Sequence, residues 1–204
     1  DLSFNSSTKV LSLTDGGTID LSGLASTSAT GATSLNGLTD ALVEDNSIYV
    51  GNDPSSTTST AEKNVAVGVT ALDAVTTGDY NVAVGYDALT ANTTGQDNSA
   101  VGQGSLIKNT TGKENSAIGS GSLKNNTTGS YNSALGNAAL YANTTGDYNN
   151  AVGDVALYNN TTGDYNVAIG NNALHSNTTA SANTAVGHHA LYANTTGVDN
   201  TAIG

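Results

Sequence analysis

The groups in this sequence that could do chemistry are few, and they recur at fixed intervals. There are three histidines, His175, His188 and His189. The adjacent pair His188-His189 carries donor atoms suited to a divalent metal, above all if two chains brought their pairs together. Both sit at positions whose residue type changes along the chain, so they are read as exposed variable positions and no metal site is assigned. No nucleophile motif stands near a histidine, so no catalytic residue is assigned and no enzyme is expected. There is no cysteine, hence no thiolate chemistry and no disulfide framework.

Carboxylates raise calcium. Calcium-binding solenoids carry a fixed Asp in every short repeat. The equivalent position here reads Asp79, Gln96, Lys113, Ser130, Asp147, Asp164, Ser181, Val198. Lys and Val cannot ligate calcium, so a ladder of such sites is excluded and no cofactor is expected. Asn-Thr-Thr triplets match the N-glycosylation acceptor pattern seven times, from Asn92 to Asn194. The stronger reading is a turn Asn followed by stacked Thr. Repeated Thr also raises ice binding, but two adjacent Thr at a turn point in different directions. An ice-binding β-solenoid is kept as the alternative.

These groups hang on an acidic, aromatic-poor chain. It has 204 residues, a formal net charge of −12, 11% charged residues and 37% apolar residues. Phe occurs once, Trp and Met are missing, and five lysines with no arginine argue against a nucleic-acid partner. No apolar run approaches the ~18 residues of a membrane-spanning helix. Low hydrophobicity with net charge can mean disorder, but the apolar residues keep a strict period. There is no signal peptide and no initiator Met, and the last repeat stops partway, as expected for part of a longer protein.

The period is 17 residues. It is marked by Gly68, Gly85, Gly102, Gly119, Gly136, Gly153, Gly170, Gly187 and Gly204. Four positions before each is Asn, two before is Ala, and one before is Val, Ile or Leu. Four positions after is Leu, preceded by Ala or by Ser105 and Ser122. Units close on Asn-Thr-Thr-Gly, with Val75 and Ala180 as departures. A unit this short cannot hold a helix pair, and Gly, Asn and Thr are poor helix formers. The expected coil has two short strands, Asn81 to Gly85 and Ala88 to Thr90 in one unit, with Asn-Thr-Thr-Gly turning between them. Stacked at ~4.8 Å per coil, the eight periods from Gly68 to Gly204 extend about 40 Å. The fold class is all-β, a parallel β-solenoid with residue ladders along its axis. The turn and core ladders are represented by Asn81, Ala83, Val84, Gly85 and Leu89, and by Asn149, Ala151, Val152, Gly153 and Leu157.

Alternation decides the faces. Ala and the next aliphatic residue cannot both look into one coil. The expectation is aliphatic side chains inward and Ala outward, covered by other copies of the chain in a parallel homotrimer. A coil holding one aliphatic and one Leu has a thin interior, so association would supply missing burial. Tyr141, Tyr158 and Tyr192 follow the repeat Leu and are the candidate surface contacts, for a receptor or glycan.

Two regions are expected, residues 1–60 outside the period and the shaft at 61–204. Residues 11–24 alternate around Asp15-Gly16-Gly17 and predict a β-hairpin. Residues 25–34 read as a connector. Residues 35–45 predict a short helix, with Leu35, Leu38 and Leu42 on one face as in a trimeric neck. Residues 46–53 predict the strand that starts the stack, and 54–63 a loop.

The cores NVAVG and NSAIG, in a Gly/Asn/Thr-rich chain, are similar to those in the left-handed parallel β-roll heads of trimeric autotransporter adhesins. The string NTTGDYNVAVGYDAL resembles repeat arrays of phage tail fibres and related bacterial surface proteins. The likeness covers residues 64–204; the adhesin heads repeat in shorter units. It implies a left-handed β-roll in an intertwined or side-by-side homotrimer, forming a fibre shaft on a virion tail or cell surface. The function expected is a rigid spacer with receptor or glycan contact; a direct host-cell adhesin is the other form of this reading.

Overall fold

The computed structural model describes residues 46–51 and 60–204, and the backbone of four strands before them. The chain divides into two compact units, residues 1–37 and 38–204. In the first, β1 (Leu2–Asn5), β2 (Val10–Leu13) and β3 (Thr18–Asp20) form an antiparallel sheet. β2 and β3 are the predicted hairpin, with Leu11 opposite Ile19; its turn at 14–17, like the connector at 25–34, lies outside the described residues.

The second unit is a parallel β-solenoid with one sheet of 11 strands. β4 (Ala41–Glu44) pairs antiparallel with β5 (Ser47–Val50). Residues 41–44 are therefore strand where a helix was expected; the edge of a long sheet overrides local helix spacing. From β5 onward every pairing is parallel: β6 (Val65–Val67), β7 (Val82–Val84), β8 (Ser99–Val101), β9 (Ser116–Ile118), β10 (Ser133–Leu135), β11 (Asn150–Val152), β12 (Val167–Ile169), β13 (Thr184–Val186) and β14 (Thr201–Ile203). From β6 onward Ala meets Ala, as Ala83 meets Ala66 and Ala100. Among the described residues there is no helix, and none long and apolar enough to cross a membrane.

The period starts one coil earlier than the glycine count from Gly68. Ser47, Tyr49 and Gly51 occupy the Asn, Ala and Gly positions; Tyr49 pairs with Ala66, and the Ser47 hydroxyl accepts the Asn64 amide at 2.9 Å. Tyr49 is buried where later coils hold Ala.

Each coil contains one strand, not two. Ala88 and Leu89 lie in a turn and are both buried in the coil, where a strand would send consecutive side chains to opposite faces. Leu89 has φ 51°, and the repeat leucines from Leu72 to Leu191 share this left-handed conformation. It turns Leu back inward beside Ala. Such backbone costs roughly 1–2 kcal/mol per residue, and full burial of Leu contributes about 1.5–3 kcal/mol, so burial holds the turn. Where Ser105 and Ser122 replace this Ala, their hydroxyls donate to Gly102 and Gly119 carbonyls at 2.9 Å.

The faces are the reverse of the expectation. The Ala column, including Ala83 and Ala151, is buried inside its own coil. The aliphatic column faces out: Val84 is 36% exposed, Ile118 43% and Leu135 48%. The reason is the Asn four before Gly. It shares a face with Ala, and its amide must reach inward. Asn98 Nδ2 donates to the Asn81 side-chain oxygen at 3.1 Å and across the coil to Gly112 O at 2.9 Å. Its own Oδ1 accepts the Asn115 backbone amide at 3.0 Å and Nδ2 at 3.1 Å. All four hydrogen-bonding capacities of the side chain are used. The same pattern runs through Asn81 and Asn149.

A second buried ladder is the Asn of Asn-Thr-Thr-Gly. Asn143 Nδ2 donates to Asn126 Oδ1 and to Gly146 O, both at 2.9 Å. A Cβ at Gly146 would sit 2.5 Å from Gly163 O and 2.6 Å from Asn143 Oδ1, so Gly is the residue that fits there without a shift; Ala180 holds the same position two coils on and keeps the Asn177 bond. Val75, buried, takes the place of this Asn one coil before Asn92. The strand-end Gly85 has φ 134°, and a Cβ there would lie 2.7 Å from Gly102 O in the next coil.

Two substitutions test this interior. Asn132→Ala removes the acceptor of the Asn149 backbone amide and of one Asn149 Nδ2 hydrogen; at about 1–3 kcal/mol for each buried unpaired group it lowers unfolding free energy by about 2–6 kcal/mol. Asn137→Ala, on the exposed surface, changes it by less than about 0.5 kcal/mol. Ala117→Leu overpacks the inner column and costs at least about 1–3 kcal/mol, measured by denaturant unfolding; a neutral result would place that column outside.

Candidate interaction surface

With Asn, Ala and Leu turned inward, the remaining positions form outward columns along the axis. The residue after each repeat Gly is mostly exposed, from Val69 and Tyr86 to His188. The residue after each repeat Leu is half-buried from Asp73 to His175 and exposed at Tyr192.

Tyr141, Tyr158, His175 and Tyr192 stack one above another. Ring centroids are 5.0, 5.4 and 5.0 Å apart, with planes within 14°. Lys124 Nζ lies 5.4 Å from the Tyr141 ring centroid. The three candidate tyrosines are thus in one column, and their neighbours cover most of their ring faces. A sugar cannot enter between rings at this spacing; edges and hydroxyls are what the column presents, together with the outer face of Tyr192. The stack itself contributes about 0.5–1.5 kcal/mol per pair beyond area burial.

A second aromatic column precedes each inner Asn. Tyr131, Tyr148 and Tyr165 stack at 4.7 and 5.0 Å with planes within 3°. These residues also have left-handed backbone, φ 61° at Tyr131. Their ordering could be read from the repeated Tyr-Asn pair, since equal positions in successive coils superpose. Nearby Glu114 holds the Tyr131 phenol above its usual 10.0, by its charge first and by the hydrogen bond it accepts. In the same column Lys63 Nζ donates to the Tyr80 hydroxyl at 2.7 Å and lies 4.5 Å from its ring centroid. That hydrogen bond is the main reason the Lys63 ammonium is held above 10.5.

The position weighed for calcium has a backbone role. Asp147 Oδ1 accepts the Ser130 amide at 2.7 Å, and Asp164 Oδ1 accepts the Asp147 amide at 2.8 Å. Ser181 does the same for Asp164 at 3.0 Å. A short acceptor caps the coil below, which explains Asp and Ser there without a metal.

The histidines converge at one end of the surface. His188 and His189 stack at 3.9 Å, and His189 and His175 lie 4.9 and 5.0 Å from Tyr192. Among the described residues no three His, Cys, Asp or Glu gather as a metal site would need.

The glycosylation triplets fold with Asn inside: Asn92, Asn109, Asn126, Asn143, Asn160 and Asn177 are buried. Of the two Thr that follow, the first spends its hydroxyl on the next coil, as Thr93 Oγ1 donates to Thr110 O at 3.1 Å. The second, such as Thr94 and Thr145, is exposed. One free hydroxyl column results.

The sheet face is the other continuous outward surface. It consists of the aliphatic column beside the varied column Val65, Val82, Ser99, Ser116, Ser133, Asn150, Val167, Thr184 and Thr201. Compared with protein families, curated proteins and solved structures, the chain matches none.

The Tyr131–Glu114 pair gives a pH prediction. A phenol whose folded pKa is raised favours the folded state below its unfolded pKa, near 10. That contribution is lost as pH rises through the folded value. Glu114→Gln removes the charge and lowers the Tyr131 midpoint toward 10.0, read by phenolate absorbance difference. An unchanged titration would show that Glu114 does not act on this ring.

Proposed function

We propose that this chain is the shaft of an extracellular or virion-attached fibre, assembled as a parallel homotrimer and acting as a rigid spacer. The observation that carries the reading is the aliphatic column of the sheet face. It runs from Val50 and Val67 to Ile203, one residue per coil, with Ile118 43% and Ile169 40% exposed. Isolated apolar residues on a surface need no explanation, but a contiguous apolar strip marks an association site. A strip parallel to the axis, repeating at the coil spacing, is matched by the same strip on another copy. Three copies around one axis would cover it along the whole shaft.

Stiffness follows from the ladders. Every coil is bonded to the next around its circuit, by strand amides, by turn amides such as Thr93 N to Thr110 O at 3.0 Å, and by both Asn columns. Bending the shaft would stretch bonds on one side of many coils at once. Receptor or glycan contact, as in a direct host-cell adhesin, would fall on the outward Tyr columns. Ice binding draws support from the exposed Thr column, but a flat two-row hydroxyl face needs a second free row, and here that row is bonded to backbone.

Sedimentation equilibrium tests the assembly. The expected mass is three chains, and Ile118→Glu with Leu135→Glu shifts it to one chain while the β circular dichroism persists. A folded monomer for the unmodified chain, or thermal hysteresis activity, would replace this reading.

A further inference from the structure

The chain contains no Cys, Met or Trp, but nine Tyr. Thiols and thioethers take up oxidants first where they are present. Without them, and without indole, the phenol rings are the most easily oxidised side chains in the molecule. An oxidising equivalent that reaches this chain therefore ends on tyrosine.

The fold decides which tyrosines have a partner. Tyr131, Tyr148 and Tyr165 are exposed and stack along the axis, with ring centroids 4.7 and 5.0 Å apart and planes within 3°. Tyr148 has a ring on each face. Near-parallel rings one coil apart bring the ortho edges of neighbouring phenols side by side. Tyr141 and Tyr158 also stack, at 5.0 Å, but are half-buried. Tyr86 is as exposed as the column, yet the equal positions one coil away hold Val69 and Gln103 rather than rings. The Tyr131 hydroxyl donates to Glu114, so the proton that oxidation releases has an acceptor beside it.

We infer that this column is a dityrosine modification site, where one-electron oxidation joins Tyr148 to Tyr131 or to Tyr165. Each phenol loses one electron and its hydroxyl proton. The two radicals form a carbon–carbon bond between ortho positions, and the ortho hydrogens return to the oxygens as the rings regain aromaticity. The oxidant is peroxide acting through a haem peroxidase; the two electrons and two protons reduce one peroxide to two water molecules. Exposed rings can turn about their side-chain bonds to meet. The fold already holds the partners together, so coupling along the column outpaces encounter between molecules. The product closes a 17-residue circuit covalently and staples one coil to the next. It lies within one chain, so it does not depend on the association of copies.

Oxidation of the whole, dilute chain with hydrogen peroxide and a haem peroxidase tests it. Cleavage before Asp147 and Asp154 leaves Tyr148 as the one tyrosine of its peptide. Mass spectrometry of the band that runs at one chain's mass on a denaturing gel should find this peptide joined to the one carrying Tyr131 or Tyr165, lighter by two hydrogens. Tyr148→Phe should abolish that product, and Tyr86→Phe should leave its yield unchanged. Circular dichroism confirms that both variants are folded. Dityrosine confined to linked chains, joining Tyr86 as often as Tyr148, or not formed at all would overturn the assignment.

Discussion

The whole shaft depends on a buried amide that can be satisfied only by its own copy one coil away. An inner Asn has two donors and two acceptor sites, and the interior has no water to serve them. Asn98 solves this by bonding to Asn81 below, to Asn115 above and to Gly112 across the coil. An unpaired buried amide costs about 1–3 kcal/mol, so any slip of one coil against the next orphans several groups at once. The 17-residue spacing is therefore imposed by hydrogen bonding as much as by shape.

That constraint explains why so small an interior holds together. The core is Ala, Leu and Asn, with few large side chains. Apolar burial per coil is modest, and Leu stays in an unfavourable backbone conformation to add to it. Order comes from repetition: the ladder that fixes Asn also fixes Ala on the same face, and so expels the aliphatic residue. A surface with a continuous apolar column is the cost of an amide-based interior.

Much of this was legible in the chain. Period, stacking, the turn role of Asn-Thr-Thr-Gly and the superposed aromatic positions follow from spacing alone. The inward face was also written there, though by a less obvious signal. The residue between Asn and Ala changes from Val82 to Ser99 to Asn150, and it shares parity with the aliphatic position. A freely varying position faces out, so its partner does too. Invariance at Asn and Ala, two apart, marked the inner side. The leucine turn was less accessible, because consecutive buried residues require a left-handed backbone that Leu normally avoids. Tyr49 and Ser47 hid the first coil by replacing its Ala and Asn. At 41–44 the spacing of leucines suited a helix, and only the neighbouring β5 reveals the strand.

The reciprocal Asn bonds also govern how such a molecule can change over generations. Deleting or duplicating one complete circuit joins equivalent residues and leaves every amide with its partner. Gaining or losing a single residue displaces everything downstream by a step that no circuit can absorb. Reach is thus quantised: lineages can lengthen or shorten it in whole units of 17 residues, while intermediate sizes are closed to them.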